Sequence, residues 1–96
     1  MHDEKVYLSG YIDLPEERLE ELSAALAEHV RLTQAEPGCI KFAARPSDSM
    51  PGRFMISEVF ESESALAAHN LRMQQADWPK ISKGVPRDIT RKDHEA

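Results

Sequence analysis

Hydrophobic and polar residues alternate with a period of two in three segments of the chain, and such alternation predicts β-strands. The first segment, residues 5–12, alternates aliphatic residues and glycine with tyrosine and serine. The second and third segments cover residues 39–45 and 53–61. Between them, residues 46–52 are rich in turn-forming residues, and a loop of this length favours an antiparallel hairpin.

The segment after the first strand has the three- and four-residue spacing of an amphipathic helix. Its apolar stripe consists of Leu19, Leu22, Leu26 and Val30. Asp13 is expected to cap this helix, because a carboxylate accepts hydrogen bonds from the free N–H groups of a first turn. The helix should end near Gln34, ahead of a Pro-Gly pair that cannot continue it.

A second helix is predicted after the third strand, with Ser62 as its N-cap. One face of this helix carries Leu66, His69 and Met73. Trp78 should break or restart the helix, because the residue before a proline disfavours helical backbone angles. Residues 84–92 are predicted to form a short last strand with Ile89 as its main apolar anchor.

The order β-α-β-β-α-β predicts an α+β fold of the ferredoxin-like type, which is a four-stranded antiparallel sheet with both helices on one face. We expect a single domain over residues 1–96, with a core at 5–91 and a frayed tail at 92–96. The second and third strands carry apolar residues on both faces, although the helices cover only one. An exposed apolar face is typical of an interaction site, so the pattern predicts a homodimer that packs sheet against sheet.

Composition excludes several functional classes for this chain of 96 residues. The formal net charge of −5 and the lack of a basic cluster argue against nucleic-acid binding. No apolar run approaches the ~20 residues of a membrane span, and no signal peptide is visible, so a cytoplasmic protein is expected. Cys39 is the single cysteine, and the four histidines lack the spacing of metal ligands.

Two residues of the predicted sheet-and-helix layer are candidates for acid–base chemistry. His69 lies on an apolar helix face, and its neutral imidazole would accept a proton at physiological pH; the alternative is a core histidine satisfied by one hydrogen bond. Glu58 interrupts an apolar strand stripe and would either fix an imidazole tautomer or act as a base whose pKa is raised by burial. Its alternative role is an ion pair with Arg53, Lys41 or Arg45.

Other side chains are candidates for binding a substrate. Arg72 and Arg87 would each bind an anionic or phenolic oxygen, or would otherwise be solvated surface charges. Phe42, Phe60 and Trp78 would form the aromatic wall of a pocket for a flat organic molecule. The alternative for these rings is ordinary core packing.

Five short motifs occur in a fixed order along the chain. They are Glu36-Pro37-Gly38-Cys39, Pro51-Gly52-Arg53-Phe54, Glu58-Val59-Phe60-Glu61-Ser62, Ala65-Leu66 and Ala68-His69. The most recognisable spacing is a glutamate, an aromatic residue two positions later, and a histidine about nine positions after that. In this order, the motifs resemble the antibiotic biosynthesis monooxygenase domain family over nearly the whole chain, from about Val6 to Thr90.

The resemblance implies a dimeric α+β barrel that oxidises a phenolic polyketide or a quinol with molecular oxygen, without flavin, metal or haem. Deprotonating a phenol, whose pKa is about 10 as in tyrosine, would give an anion able to reduce oxygen. His69 matches the family histidine and would be the base. Phe60 stands where many members have tryptophan, so the indole donor is lost. The haem-degrading branch binds iron through a later histidine, which residues 76–80 lack.

Two further functions remain compatible with the sequence. One is a non-catalytic dimeric module that binds a small apolar ligand or another protein, which a ligand would stabilise without turnover. The other is an isomerase or lyase acting on a small carbonyl compound, which needs the same base but no oxygen.

Overall fold

The computed structural model describes residues 4–96 and has the predicted order of elements. The strands are β1 (Val6–Asp13), β2 (Cys39–Pro46), β3 (Arg53–Phe60) and β4 (Arg87–Lys92). The helices are α1 (Leu19–Gln34), preceded by a 3₁₀ turn at Glu16–Arg18, then α2 (Glu63–Gln74) and the single-turn α3 (Trp78–Ile81). The antiparallel sheet has the order β2-β3-β1-β4, which confirms the ferredoxin-like α+β prediction.

The core lies between the helices and one face of the sheet. Leu22 and Phe60 are fully buried in it, and Ser62 caps α2 as predicted by accepting a hydrogen bond from the Ala65 N–H at 3.1 Å. α2 ends at Gln74 and helical structure restarts at Trp78, as the Trp-Pro pair predicted.

No helix within residues 4–96 is long and apolar enough to cross a lipid bilayer. His2, one of the four histidines of the sequence, lies outside the described residues.

The prediction that Asp13 caps the first helix is wrong. Asp13 is the last residue of β1 and lies opposite Arg53 in the register of β3. Its carboxylate accepts two hydrogen bonds from the Arg53 guanidinium, at 2.7 and 2.9 Å. The chain enters α1 through Pro15 and the 3₁₀ turn, where no side chain caps the helix. A charged pair across two strands therefore replaces the capping interaction.

The period of two predicted for residues 39–45 does not hold at the first residues of β2. The register shifts between Cys39 and Lys41, so a bulge inserts Ile40 as an extra residue. Because a bulge interrupts the period of two, Cys39 packs against the same core as Phe42, whereas Ile40 is 51% exposed.

The last residues of the chain lie near the sheet face that the helices leave open. The Glu95 carboxylate accepts a hydrogen bond from the Lys41 ammonium on β2 at 3.0 Å. Ala96 lines a shallow depression on the same face with Ser9 and Ala43.

Candidate active site

A cavity of about 250 Å³ lies between the helices and the sheet. Most of its wall is apolar and comes from every layer of the fold: Leu8, Ile12, Leu26, Phe42, Ile56, Leu66, Met73, Trp78 and Ile89. The polar side chains in the wall are His29, Glu58, His69, Asn70 and Arg87. An apolar chamber with a few convergent polar groups is the usual form of a small-molecule site.

His69 lies where the sequence placed it, on the inner face of α2 with Leu66 and Met73. Only 4% of it is exposed, and its ring packs on Phe60 with 4.9 Å between ring centroids. Its Nδ1 lies 3.0 and 3.1 Å from the two oxygens of the Glu36 carboxylate. Because an ionised carboxylate only accepts hydrogen bonds, Nδ1 carries the proton and Nε2 keeps its lone pair.

The partner of His69 was not predicted. Glu58 was the sequence candidate for fixing the imidazole tautomer, but Glu36 does so from the turn between α1 and β2. Glu36 is itself held by Arg72, whose Nε donates to the same carboxylate at 2.5 Å and whose Nη2 donates to Thr33 Oγ1 at 3.2 Å. The fixed negative charge of Glu36 favours the imidazolium that forms if Nε2 takes a proton.

Arg72 and Phe60, both predicted as site residues, are not in the cavity wall. Arg72 is partly exposed on α2, where it is bonded to Glu36 and Thr33. Phe60 is fully buried behind the His69 ring. Both residues therefore support His69 from outside the chamber and do not line it.

Glu58 lines the cavity from β3 and is only 8% exposed. Burial, with a smaller contribution from the charge of Glu36, raises the pKa of Glu58 to about 7. No hydrogen bond or ion pair joins its carboxyl group to another residue between positions 4 and 96. The alternative partners lie elsewhere, since Arg53 pairs with Asp13, Lys41 pairs with Glu95, and Arg45 lies opposite Met55 in the strand register. Glu58 therefore exchanges its proton near neutral pH.

Arg87 brings a cation to the cavity from the start of β4. It is anchored by donating to the backbone carbonyls of Ser82 at 2.5 Å and Val85 at 3.2 Å. Its guanidinium lies 5.9 Å from the centre of the Trp78 ring, and burial lowers its pKa. Of the two predicted arginines, Arg87 is the one placed to meet a ligand.

His29 is a cavity residue that was not among the site residues predicted from the sequence. Its ring stacks on Trp78, with 5.5 Å between centroids and 13° between planes, and meets Phe42 edge to face at 5.3 Å. Burial, reinforced by His69 and Arg72, lowers the pKa of His29 to about 4. The buried residues of α1 are Leu22, Leu26, His29 and Thr33. The positions of these four residues follow the helical spacing, so the spacing could have indicated that His29 is buried. A search for hydrophobic residues alone finds only the two leucines.

No group of three or more His, Cys, Asp or Glu side chains is arranged to hold a metal ion in the described part of the chain. The acid–base groups of the cavity, by contrast, come from separate elements that only the fold brings together.

Comparison with known families gives a match over most of the chain. The model of the family described as antibiotic biosynthesis monooxygenase matches residues 6–78. No curated protein matches the chain in sequence.

Solved structures share the fold at low sequence identity. A candidate antibiotic biosynthesis monooxygenase from Nitrosomonas europaea is 19% identical with a TM-score of 0.82, covering 96% of this chain and 91% of that one. A Pseudomonas aeruginosa protein is 20% identical with a TM-score of 0.78, covering 100% and 98%. A candidate monooxygenase of the same description from Deinococcus radiodurans is 25% identical with a TM-score of 0.76, covering 93% and 91%.

Proposed function

Because the chain belongs to the antibiotic biosynthesis monooxygenase family, we propose that it oxidises a small phenolic or quinol-type molecule with molecular oxygen. The observation that carries this proposal is the apolar cavity that contains His69, with Nδ1 fixed by Glu36 and Nε2 free to accept a proton. A cavity of about 150 Å³ is enough to hold benzene. The 250 Å³ here suits an aromatic molecule of one or two rings.

The first step in this proposal is removal of the phenolic proton by His69. The proton moves from the substrate oxygen to Nε2, and the resulting imidazolium is stabilised by the Glu36 carboxylate. Arg87 supplies positive charge to the developing phenolate. The apolar wall excludes water, which strengthens both interactions.

The deprotonated ring then supplies the electrons that oxygen needs. One oxygen atom is inserted at a ring carbon and the other leaves as water, so that a quinol plus O2 yields a hydroxyquinone plus water. The electron-rich anion reduces oxygen itself, and the proposal therefore invokes no flavin, haem or metal. Phe42 and Trp78 would hold the flat ring against the cavity wall.

Oxygen uptake with hydroquinones tests this function. Replacing His69 by alanine should lower kcat about 10²- to 10⁴-fold, the usual contribution of a general base. The matched control is His94→Ala, since His94 is an exposed histidine far from the cavity. Equal rates for wild type and His69→Ala would remove His69 from the mechanism. A ligand that raises the Tm without any oxygen uptake would favour a binding module instead.

Glu58 favours one alternative, an isomerase or lyase acting on a carbonyl compound. Glu58, whose pKa burial raises to about 7, and the imidazole of His69 line the same cavity, and such a pair can move a proton between two positions of one substrate. Turnover that continues at an unchanged rate under anaerobic conditions would support this reaction.

We further propose that the protein works as a homodimer. The helices cover one face of the sheet, and the other face presents Met55, which is 47% exposed, beside Tyr11 and Ala43. A second copy packed on this face would bury these residues and stiffen the sheet that forms the floor of the cavity.

A further inference from the structure

His29 is a buried polar residue of the cavity wall that the proposed reaction does not use. It is 5% exposed and lies between Trp78 and Phe42. Its backbone carbonyl accepts a hydrogen bond from Thr33 Oγ1 at 2.8 Å, and Thr33 is tied in turn to Arg72. The packing of the ring between Trp78 and Phe42 holds the side chain at the cavity surface.

The ring nitrogens of His29 are without protein partners among residues 4–96. Nδ1 is sealed from solvent and makes no hydrogen bond. A neutral imidazole has one N–H and one lone pair, and a buried unpaired N–H is rarer in proteins than a buried unpaired acceptor. The lone pair therefore belongs on Nδ1, and the proton belongs on Nε2. The side chain is neutral at pH 7, because the pKa of His29 is lowered to about 4.

We propose that His29 donates a hydrogen bond from Nε2–H to the phenolate oxygen that forms when His69 removes the substrate proton. The ring centroids of His29 and His69 are 6.0 Å apart, with 46° between their planes. Hydrogen bonds of about 2.7–3.1 Å from two such rings can meet at one oxygen. His69 accepts the proton of that oxygen, and His29 stabilises the charge left behind without losing or gaining a proton.

This role replaces the one that the sequence gave to Arg72, which does not line the cavity. A neutral donor complements the charge that Arg87 supplies, because it adds a hydrogen bond to the phenolate without a further cation that would oppose the protonation of the base. The inference rests on the proposed function only in assuming a phenolic ligand. It does not require that oxygen reacts.

The binding of 4-nitrophenol tests the inference without any turnover, because the ionised and neutral forms of this phenol absorb at different wavelengths. In His29→Phe, the ratio of ionised to neutral bound 4-nitrophenol should fall about 10- to 100-fold relative to wild type, the usual effect of losing a hydrogen bond to a charged group. His29→Gln keeps a side-chain N–H donor and should restore part of the ratio. An unchanged ratio in His29→Phe, or no binding of 4-nitrophenol to the wild type, would overturn the inference.

A second measurement uses the unmodified protein and does not depend on the folding of a variant. The ¹⁵N shifts of the His29 ring should show a neutral imidazole with its proton on Nε2 at pH 7. A proton on Nδ1, or protonation of both nitrogens, would overturn the inference. If the ratio of ionised to neutral 4-nitrophenol falls in His29→Phe but no oxygen is taken up with hydroquinones, only the monooxygenase proposal would be overturned. If oxygen uptake depends on His69 but the ratio of ionised to neutral 4-nitrophenol is unchanged in His29→Phe, only the inference about His29 would be overturned.

Discussion

Two ionisable side chains in the same cavity have pKa values that burial moves in opposite directions. The pKa of Glu58 rises from 4.5 to about 7, and that of His29 falls from 6.5 to about 4. Glu58 therefore gives stability that is fully present below pH 4.5 and is lost as the pH rises through 7. His29 gives stability that is present above pH 6.5 and is lost as the pH falls through 4. The two effects oppose each other in the wild-type protein.

Replacing Glu58 by glutamine isolates its contribution. The free energy of unfolding of Glu58→Gln, relative to wild type, should increase by about 3 kcal/mol between pH 4.5 and 7 and stay constant above, because the neutral amide has no charge to desolvate. Urea unfolding followed by Trp78 fluorescence at a series of pH values measures this difference. Glu63→Gln is the control and should show no such increase, since the Arg91 hydrogen bond lowers the pKa of the exposed Glu63. A difference that does not vary with pH would contradict the burial of a protonated Glu58.

Some residues that the sequence singled out lie in the cavity wall for a physical reason. Side-chain direction follows from strand and helix periodicity, so Phe42, Glu58 and His69 could be assigned to inner faces without a structure. Glu36 could not be assigned in this way, because it lies in a turn. Its contact with His69 depends on how α2 packs against the end of α1, and no local pattern encodes that packing.

Gly10 determines how closely β4 can approach β1. It pairs with Ile56 on one side and Ile89 on the other. A Cβ atom at Gly10 would lie 1.8 Å from the backbone oxygen of Asp88, so no side chain fits without moving β4. Because β4 carries Arg87 and Ile89 into the cavity wall, this close approach also shapes the candidate site.

Gly10→Ala should therefore destabilise the protein by about 3 kcal/mol or more, as a steric conflict with backbone does. Gly84→Ala is a matched control: its φ of +84° disfavours alanine, but nothing lies within 4 Å of the added atom. Gly84→Ala should lower the free energy of unfolding by only about 1–2 kcal/mol. Denaturant unfolding of both variants gives the comparison, and equal losses would show that β4 adjusts without penalty.

The positions of the strands could be predicted from the sequence more fully than the bulge and the ion pair within them. Alternation located β1, β2 and β3, and turn residues located the hairpin, because these signals are local. The bulge at Ile40 and the Asp13–Arg53 pair were missed because each depends on the neighbouring strand. The partner strand, and not the strand's own pattern, decides which residue is extra and which charge is paired.

The whole molecule has a sheet with one face covered by helices and one face without such cover. On the uncovered face, the Arg53 guanidinium lies 3.7 Å from the centre of the Tyr11 ring, and Lys41 bonds to Glu95. Charged groups therefore flank the exposed apolar area around Met55, which is the usual arrangement of an interface with an apolar centre and a polar rim. In a two-fold symmetric dimer, these same residues would face their own copies.

A lysine at Met55 tests the proposed homodimer, because it would place a charge at the centre of the contact, next to Arg45 in the strand register. Each copy would bring the same unpaired cation, and desolvating it should weaken dimerisation by about 10-fold or more. Leu71→Lys is the matched control, since Leu71 is an exposed apolar residue on α2, away from this face. Sedimentation over a dilution series should show a wild-type and Leu71→Lys dimer and a Met55→Lys monomer. A wild-type protein that sediments as a monomer at every concentration would leave the second sheet face without its proposed cover, and the oxygen chemistry would then have to proceed within a single copy.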